Sequence, residues 1–157
     1  FLNHNGLTSL IQSHAESGGK IIGICLGLQL LFQSSEESPG CQGLSIYEGE
    51  VIKIPRTSAL NVPHIGWNAV HSTVHTPQYL KDFFDSSGLS IADFYFVHSY
   101  YASPKEKQNV LASTKYFTLT IPSVINSQNI TGFQFHPEKS GNKGLELLKN
   151  YLYQKNA

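Results

Sequence analysis

Lys20-Ile-Ile-Gly-Ile-Cys-Leu-Gly-Leu-Gln-Leu-Leu-Phe32 is the stretch on which the fold turns. Its first part, Lys20 to Ile24, is a short and nearly continuous apolar run bounded by glycines, as a parallel strand covered on both faces would be. From Leu26 to Ser34, Leu28, Leu30, Leu31 and Phe32 stand among good helix formers, so the order is strand, tight turn, helix, half of an α/β unit. Cys25 falls at the junction, between Gly23 and Gly27. A nucleophile elbow holds its side chain on such a strained turn, and the glycines permit the crowding. At the first turn of the helix the macrodipole and free N–H groups favour a thiolate. Cys25 is therefore expected to have a pKa lowered toward neutrality, with the Leu26 N–H aimed where an oxyanion forms. A buried structural cysteine is the competing reading of the same residues.

Upstream of that stretch, Leu2, Leu7, Leu10, Ile11 and Ala15 recur at helical spacing, which predicts a helix over 1–17 ending at Gly18-Gly19. Downstream, Gly40, Gly43, Gly49, Pro55 and Pro63 punctuate short runs. Glu50 to Ile54 and Trp67 to His71 read as hairpin strands. Asp93 to His98, Asn109 to Ser113 and Asn129 to His136 read as three more strands, before a last helix from about Asn142 to Tyr153. There is no repeat, linker or low-complexity tract, so a single domain over 1–157 is expected.

Composition narrows the function. The 157 residues, 40% hydrophobic, suit one sizeable core. Eleven basic and eleven acidic residues cancel, leaving no electrostatic footprint for nucleic acid or an anionic membrane. No apolar run is long enough to span a bilayer and no signal-peptide pattern opens the chain, so a cytoplasmic protein is expected. Cys25 and Cys41 lie in unlike contexts, which argues against a disulfide. The sequence holds no methionine, so Phe1 is not an intact translation start; a processed chain or a piece of a longer one is expected.

His136-Pro137-Glu138 supplies a partner for Cys25. On an extended chain residues two apart share a face, and proline favours that conformation, so imidazole and carboxylate can act together. The ring would take the thiol proton and return it to a leaving amine, while the carboxylate orients it. A strand-end histidine beside a solvated glutamate is the competing reading. His98, at the end of an aromatic strand, ranks second as base, whereas His4, His14, His71 and His75 stand in polar surroundings. Nothing matches Cys-x-x-Cys, His-Glu-x-x-His or a phosphate loop, so no metal or cofactor is called for.

With Gly-Ile-Cys-Leu-Gly-Leu-Gln at 23–29 and Phe-Gln-Phe-His-Pro-Glu-Lys-Ser at 133–140, the chain resembles the class I, triad-type glutamine amidotransferases. Ser35-Glu-Glu-Ser-Pro39, Val62-Pro-His-Ile-Gly-Trp-Asn68 and Tyr95-Phe-Val-His-Ser-Tyr100 look, within that family, like glutaminase subunits of imidazole glycerol phosphate synthases. The resemblance implies an α/β, flavodoxin-like fold, with a mostly parallel central sheet flanked by helices and a small antiparallel subsheet. It implies a Cys25–His136–Glu138 triad, an oxyanion contact from Leu26, and glutamine binding by Gln29, Glu37, His98, Ser99 and Tyr100. It further implies a heterodimer in which His64, Trp67, Asn68, Tyr95 and Lys139 face a (β/α)8-barrel cyclase that receives the ammonia.

Members of that family begin with two strands, a helix and a glycine-rich loop that this sequence does not show. The expectation is a chain lacking its opening strands, with an oxyanion site built on Leu26 alone, an uncovered apolar face and poor solubility. Alternatives are a glutaminase feeding another synthase, such as one for surface-polysaccharide sugars, a hydrolase of γ-glutamyl peptides, and a scaffold without turnover.

Overall fold

The computed structural model of the chain describes residues 6–57, 60–84 and 93–153. In chain order its elements are α1 (Leu7–Glu16), β1 (Ile21–Ile24), α2 (Leu26–Leu30), β2 (Ser34–Ser35), β3 (Gly49–Lys53), β4 (His64–Ala69), β5 (His71–Ser72) and α3 (Gln78–Phe84). Then come β6 (Asp93–His98), β7 (Tyr100–Pro104), β8 (Val110–Tyr116), β9 (Leu119–Ser127), β10 (Ile130–Phe133) and α4 (Gly141–Tyr153). The α/β class expected from the sequence holds. Among the described residues the main sheet runs β1-β10-β9-β8-β5, with smaller sheets β2-β3-β7 and β4-β6 beside it. The main sheet is mixed rather than mostly parallel: β1 runs parallel to β10, and the remaining pairs are antiparallel.

Each face of that sheet is covered. On one side Phe84, Phe94, Phe96, Phe133, Phe135 and Leu147 form a cluster with α3 and α4. On the other, Leu28, Leu31, Phe32, Tyr47, Ile125 and Ile130 pack with α2. Neighbours Val124 and Ile125 of β9 enter opposite clusters, as the two-residue period of a strand requires. Burying one such side chain fully contributes about 1.5–3 kcal/mol.

Local departures from the sequence reading have physical causes. The first helix starts at Leu7, and the expected residues 1–5 lie outside the described ones. The helix after Cys25 stops at Leu30 instead of reaching Ser34, because a following loop takes its carbonyls: Leu44 N–H donates to Leu30 O at 2.8 Å, and Ile46 N–H to Leu31 O at 2.9 Å. Nor do the two middle strands form a hairpin, since β3 pairs with β7 and β4 with β6. Beside β1, the end strand of the main sheet among the described residues, Leu10, Ile11, Ile21, Ile22, Leu30 and Leu31 line an open apolar groove of about 660 Å³.

Candidate active site

At the end of β1 the backbone of Cys25 takes φ 49° and ψ −101°, a conformation L-residues avoid. Strain of this kind costs on the order of 1–3 kcal/mol and is held by its surroundings. Here Cys25 N–H donates to Phe133 O at 2.7 Å, and Gln29 N–H to Cys25 O at 3.1 Å. Gly23 makes the turn possible, because a Cβ there would fall 2.7 Å from the Gly27 carbonyl and the Leu28 nitrogen. The expected crowding does not extend to Gly27, where a Cβ would meet open space.

Parallel pairing of Ile24 with Phe133 sets the carboxyl ends of β1 and β10 side by side, the edge at which α/β sheets place ligands. Cys25 thereby neighbours Gln134, whose Nε2 lies 3.8 Å from Sγ, and the Val97 carbonyl, also 3.8 Å away. Two residues on, His136 N–H donates to Tyr95 O at 2.8 Å, and the His136 ring meets Glu138 through Nδ1 and Oε1 at 2.7 Å. The route to that contact differs from the extended chain expected: Pro137–Lys139 is one 3₁₀ turn, closed by Lys139 N–H donating to His136 O at 3.0 Å. Proline favours the first position of such a turn, where its missing N–H costs nothing.

Cys25 shares a small cleft of about 170 Å³ with Leu26, Gln29, Glu37, His98, Ser99 and Tyr100. Every residue expected to bind the substrate lies on it. Its size is below the roughly 300–1,000 Å³ of sites for drug-sized ligands, which suits a single small metabolite. Gln29 is fixed there by its Nε2, which donates to Tyr100 O at 2.8 Å.

Electrostatics correct one expectation. Burial pushes the Cys25 thiol up from its ordinary value, with Glu37 and Glu138 adding to the rise, while the Leu26 N–H and Lys139 oppose it. A helix of five residues supplies too little dipole to outweigh desolvation. His98 is unsuited to the role of base, since both its nitrogens are engaged: Nδ1 with Tyr100 O at 2.9 Å and Nε2 with His64 Nδ1 at 3.0 Å. Burial lowers both His98 and His64 to about 4.

The residues expected at a docking face divide. On the β4–β6 ribbon, Trp67 is 58% exposed and pairs across to Tyr95, their rings 6.2 Å apart, with Ile65 exposed beside them. Asn68 donates through Nδ2 to Lys115 O at 3.2 Å, and Lys139 is exposed next to the Glu138 turn. His64 departs from the set: at 2% exposure its ring lies inside, stacked on Phe96 and Tyr116. Gln134 and the Val97 carbonyl were missed in the sequence. Gln134 had a signal, because it precedes His136 by two residues in the run read as a strand from Asn129 to His136, although β10 itself ends at Phe133. Among the described residues no group of three or more His, Cys, Asp and Glu could hold a metal ion.

The model of the family described as "Glutamine amidotransferase class-I" matches residues 3–155. The chain is 41% identical to the imidazole glycerol phosphate synthase subunit HisH of Geobacillus kaustophilus, over 96% of its own length and 70% of that protein's. Identity to the subunit of the same name from Moorella thermoacetica is 45%, over 96% and 67% of the two chains. Among solved structures, one titled as a glutamine amidotransferase superposes with TM-score 0.64 at 16% identity, covering 96% of this chain and 70% of that one. The glutaminase domain of Trypanosoma brucei CTPS with bound acivicin gives TM-score 0.62 at 14% identity, over 98% and 67%. Elbow, histidine turn and family match agree, and the chain belongs to the class I glutamine amidotransferases.

Proposed function

We propose that this chain is the glutaminase subunit of a cytoplasmic imidazole glycerol phosphate synthase, hydrolysing glutamine to glutamate and ammonia at Cys25. The observation that carries this reading is the gathering of Cys25, Gln29, Glu37, His98, Ser99 and Tyr100 on one cleft, with the His136–Glu138 contact at 2.7 Å beside it. The curated relatives quoted above support the synthase over another ammonia-using enzyme, since both are subunits of that synthase.

In this reading His136 removes the proton from the half-buried Cys25 thiol, and the thiolate attacks the carboxamide carbon of glutamine. Glu138 on Nδ1 orients the ring and stabilises the imidazolium, which leaves Nε2 for the proton in flight. The Leu26 N–H donates to the oxyanion of the tetrahedral intermediate. Its collapse transfers the proton from His136 to the leaving nitrogen, releasing ammonia and leaving a glutamyl thioester on Cys25. Water then attacks that thioester, with His136 again as base, and frees glutamate and the thiol. Glu37 and the Gln29 amide oxygen accept from the substrate ammonium, and Ser99 and Tyr100 hold its carboxylate.

A (β/α)8-barrel cyclase is the proposed partner, seated on the outer face of the β4–β6 ribbon against Trp67 and Tyr95 and on the neighbouring Lys139, with Asn68 at the margin because its side chain turns to the His64 face. It would consume the ammonia to make imidazole glycerol phosphate and aminoimidazole carboxamide ribotide. The experiment is an assay of ammonia and glutamate release from glutamine for the chain and for Cys25→Ala, with and without the cyclase. Partner-stimulated release that disappears in Cys25→Ala is expected; release that survives it, or none with the partner present, overturns the reading.

A further inference from the structure

Behind the cleft, four side chains and one carbonyl form an oriented chain of hydrogen bonds. The Tyr100 carbonyl can only accept, so His98 Nδ1, 2.9 Å away, is the donor and carries the proton. A neutral His98 then has its lone pair on Nε2, and the His64 Nδ1 facing it at 3.0 Å must be protonated in turn. That leaves the lone pair of His64 on Nε2, toward which the Asn68 amide points at 3.4 Å, while the same amide donates to Lys115 O at 3.2 Å. Every donor in the row points toward the cleft. At its far end the Tyr100 carbonyl accepts a second hydrogen bond, from Gln29 Nε2 at 2.8 Å, which fills both lone pairs.

The consequence falls on Gln29. A carboxamide can present either its oxygen or its NH₂ to a ligand, and the two orientations have opposite meaning for a substrate ammonium. With Nε2 held by the Tyr100 carbonyl, Gln29 offers its oxygen. We propose that His64 and His98 are a relay of two neutral imidazoles, both protonated on Nδ1, that fixes the Tyr100 carbonyl and through it the acceptor face of Gln29. His64 is thus a positioning residue for substrate binding, not part of the docking surface, and it touches no reacting atom. A proton added to Nε2 of either ring would meet the N–H group that faces it, and burial of both rings disfavours the charge as well. The relay also begins on the ribbon whose outer face carries Trp67, with His64 and Trp67 on opposite faces of β4. This inference rests on glutamine being the substrate.

Two measurements test it. The first is glutaminase kinetics in complex with the cyclase for the wild type, His64→Phe and His64→Asn. Phenylalanine keeps the stack on Phe96 and Tyr116 but has no donor, whereas asparagine returns an amide N–H near the position of Nδ1. His64→Phe is expected to raise KM for glutamine about tenfold, the effect of one lost hydrogen bond, with kcat changed less than about threefold. His64→Asn is expected to recover most of that loss. Unchanged KM in His64→Phe, or no recovery in His64→Asn, overturns the relay. The second is nitrogen-resolved NMR of the imidazole rings of the unsubstituted protein near neutral pH, which requires no turnover. Both rings should be protonated on Nδ1 alone, the rarer form of a free neutral imidazole; an Nε2 proton on either ring overturns the proposal. Absence of ammonia release in the wild type, with both rings in the expected form, would overturn glutamine as substrate and with it the part of the proposal that concerns substrate binding, while the proton arrangement of the two rings would stand.

Discussion

Two pairs of groups built around histidine lie near the same cleft and are opposite in design. His136 faces a carboxylate, and its pair is partly open to water, with side-chain exposures of 17% and 42%. His64 and His98 face each other, at 2% and 6% exposure. A carboxylate neighbour stabilises an imidazolium; a second imidazole in a dry site excludes one. His136 itself contributes to keeping His98 uncharged. In the proposed mechanism the positive charge that proton transfer creates is thereby confined to the ring that has Glu138 beside it, while the pair behind the cleft keeps a fixed set of donors.

The largest effect is expected at His136. General base catalysis contributes about 10²–10⁴-fold, so His136→Ala should lower kcat for glutamine hydrolysis by a factor in that range, with KM moving far less. Steady-state ammonia release with the cyclase present checks this, and a variant retaining a tenth of wild-type kcat would return His98 to consideration as base. Glu138→Gln should cost less, about 10²-fold at most, because Glu138 is partly exposed and water can take over some of its stabilisation of the imidazolium.

Much of this arrangement was legible in the chain. The glycine-bounded apolar run before Cys25 and the periodic last helix depend on local spacing, and local spacing is what a sequence displays. What it hides are pairings between distant segments. Ser99 is a single residue between β6, which pairs with β4, and β7, which pairs with β3, so one aromatic run serves two sheets. Pro122 conceals β9, since proline argues against an inner strand; it is accommodated beside the irregularity where Ala112 and Ser113 of β8 shift register. The site divides the same way. Cys25, His136 and Glu138 announced themselves by motif, whereas the raised thiol of Cys25 follows from burial, which no motif records. The resemblance alone implies His64 at the docking face beside Trp67, whereas alternation along β4 turns the two side chains to opposite faces.

The buried pair also predicts a pH effect on stability. A histidine near 6.5 in the unfolded chain and about 4 in the fold binds its proton more readily when unfolded. Stability is therefore fully present above about pH 6.5 and falls as the pH drops from there toward 4. One ring shifted this far accounts for about 3 kcal/mol across that window, and coupling makes the two rings less than additive. Chemical denaturation at a series of pH values checks the slope. His64→Phe removes one of the two groups and should flatten it; a slope unchanged by that substitution would mean the acid sensitivity lies elsewhere.

The smallest effect is expected where pairing occurs in full solvent. Lys105 Nζ stands 2.6 Å from Glu48 Oε2, a shorter contact than either histidine pair makes, yet the side chains are 74% and 59% exposed. The contact lowers Glu48 and raises Lys105, but water and salt solvate each charge almost as well when the partner is gone, and ordering two long side chains offsets the remaining attraction. Lys105→Ala should therefore leave Tm and glutamine hydrolysis within measurement error, at low and at high ionic strength. A clear fall in Tm at low salt that high salt abolishes would show that proximity alone can stabilise here, and would weaken the weight given to burial in separating His64 and His98 from His136 and Glu138.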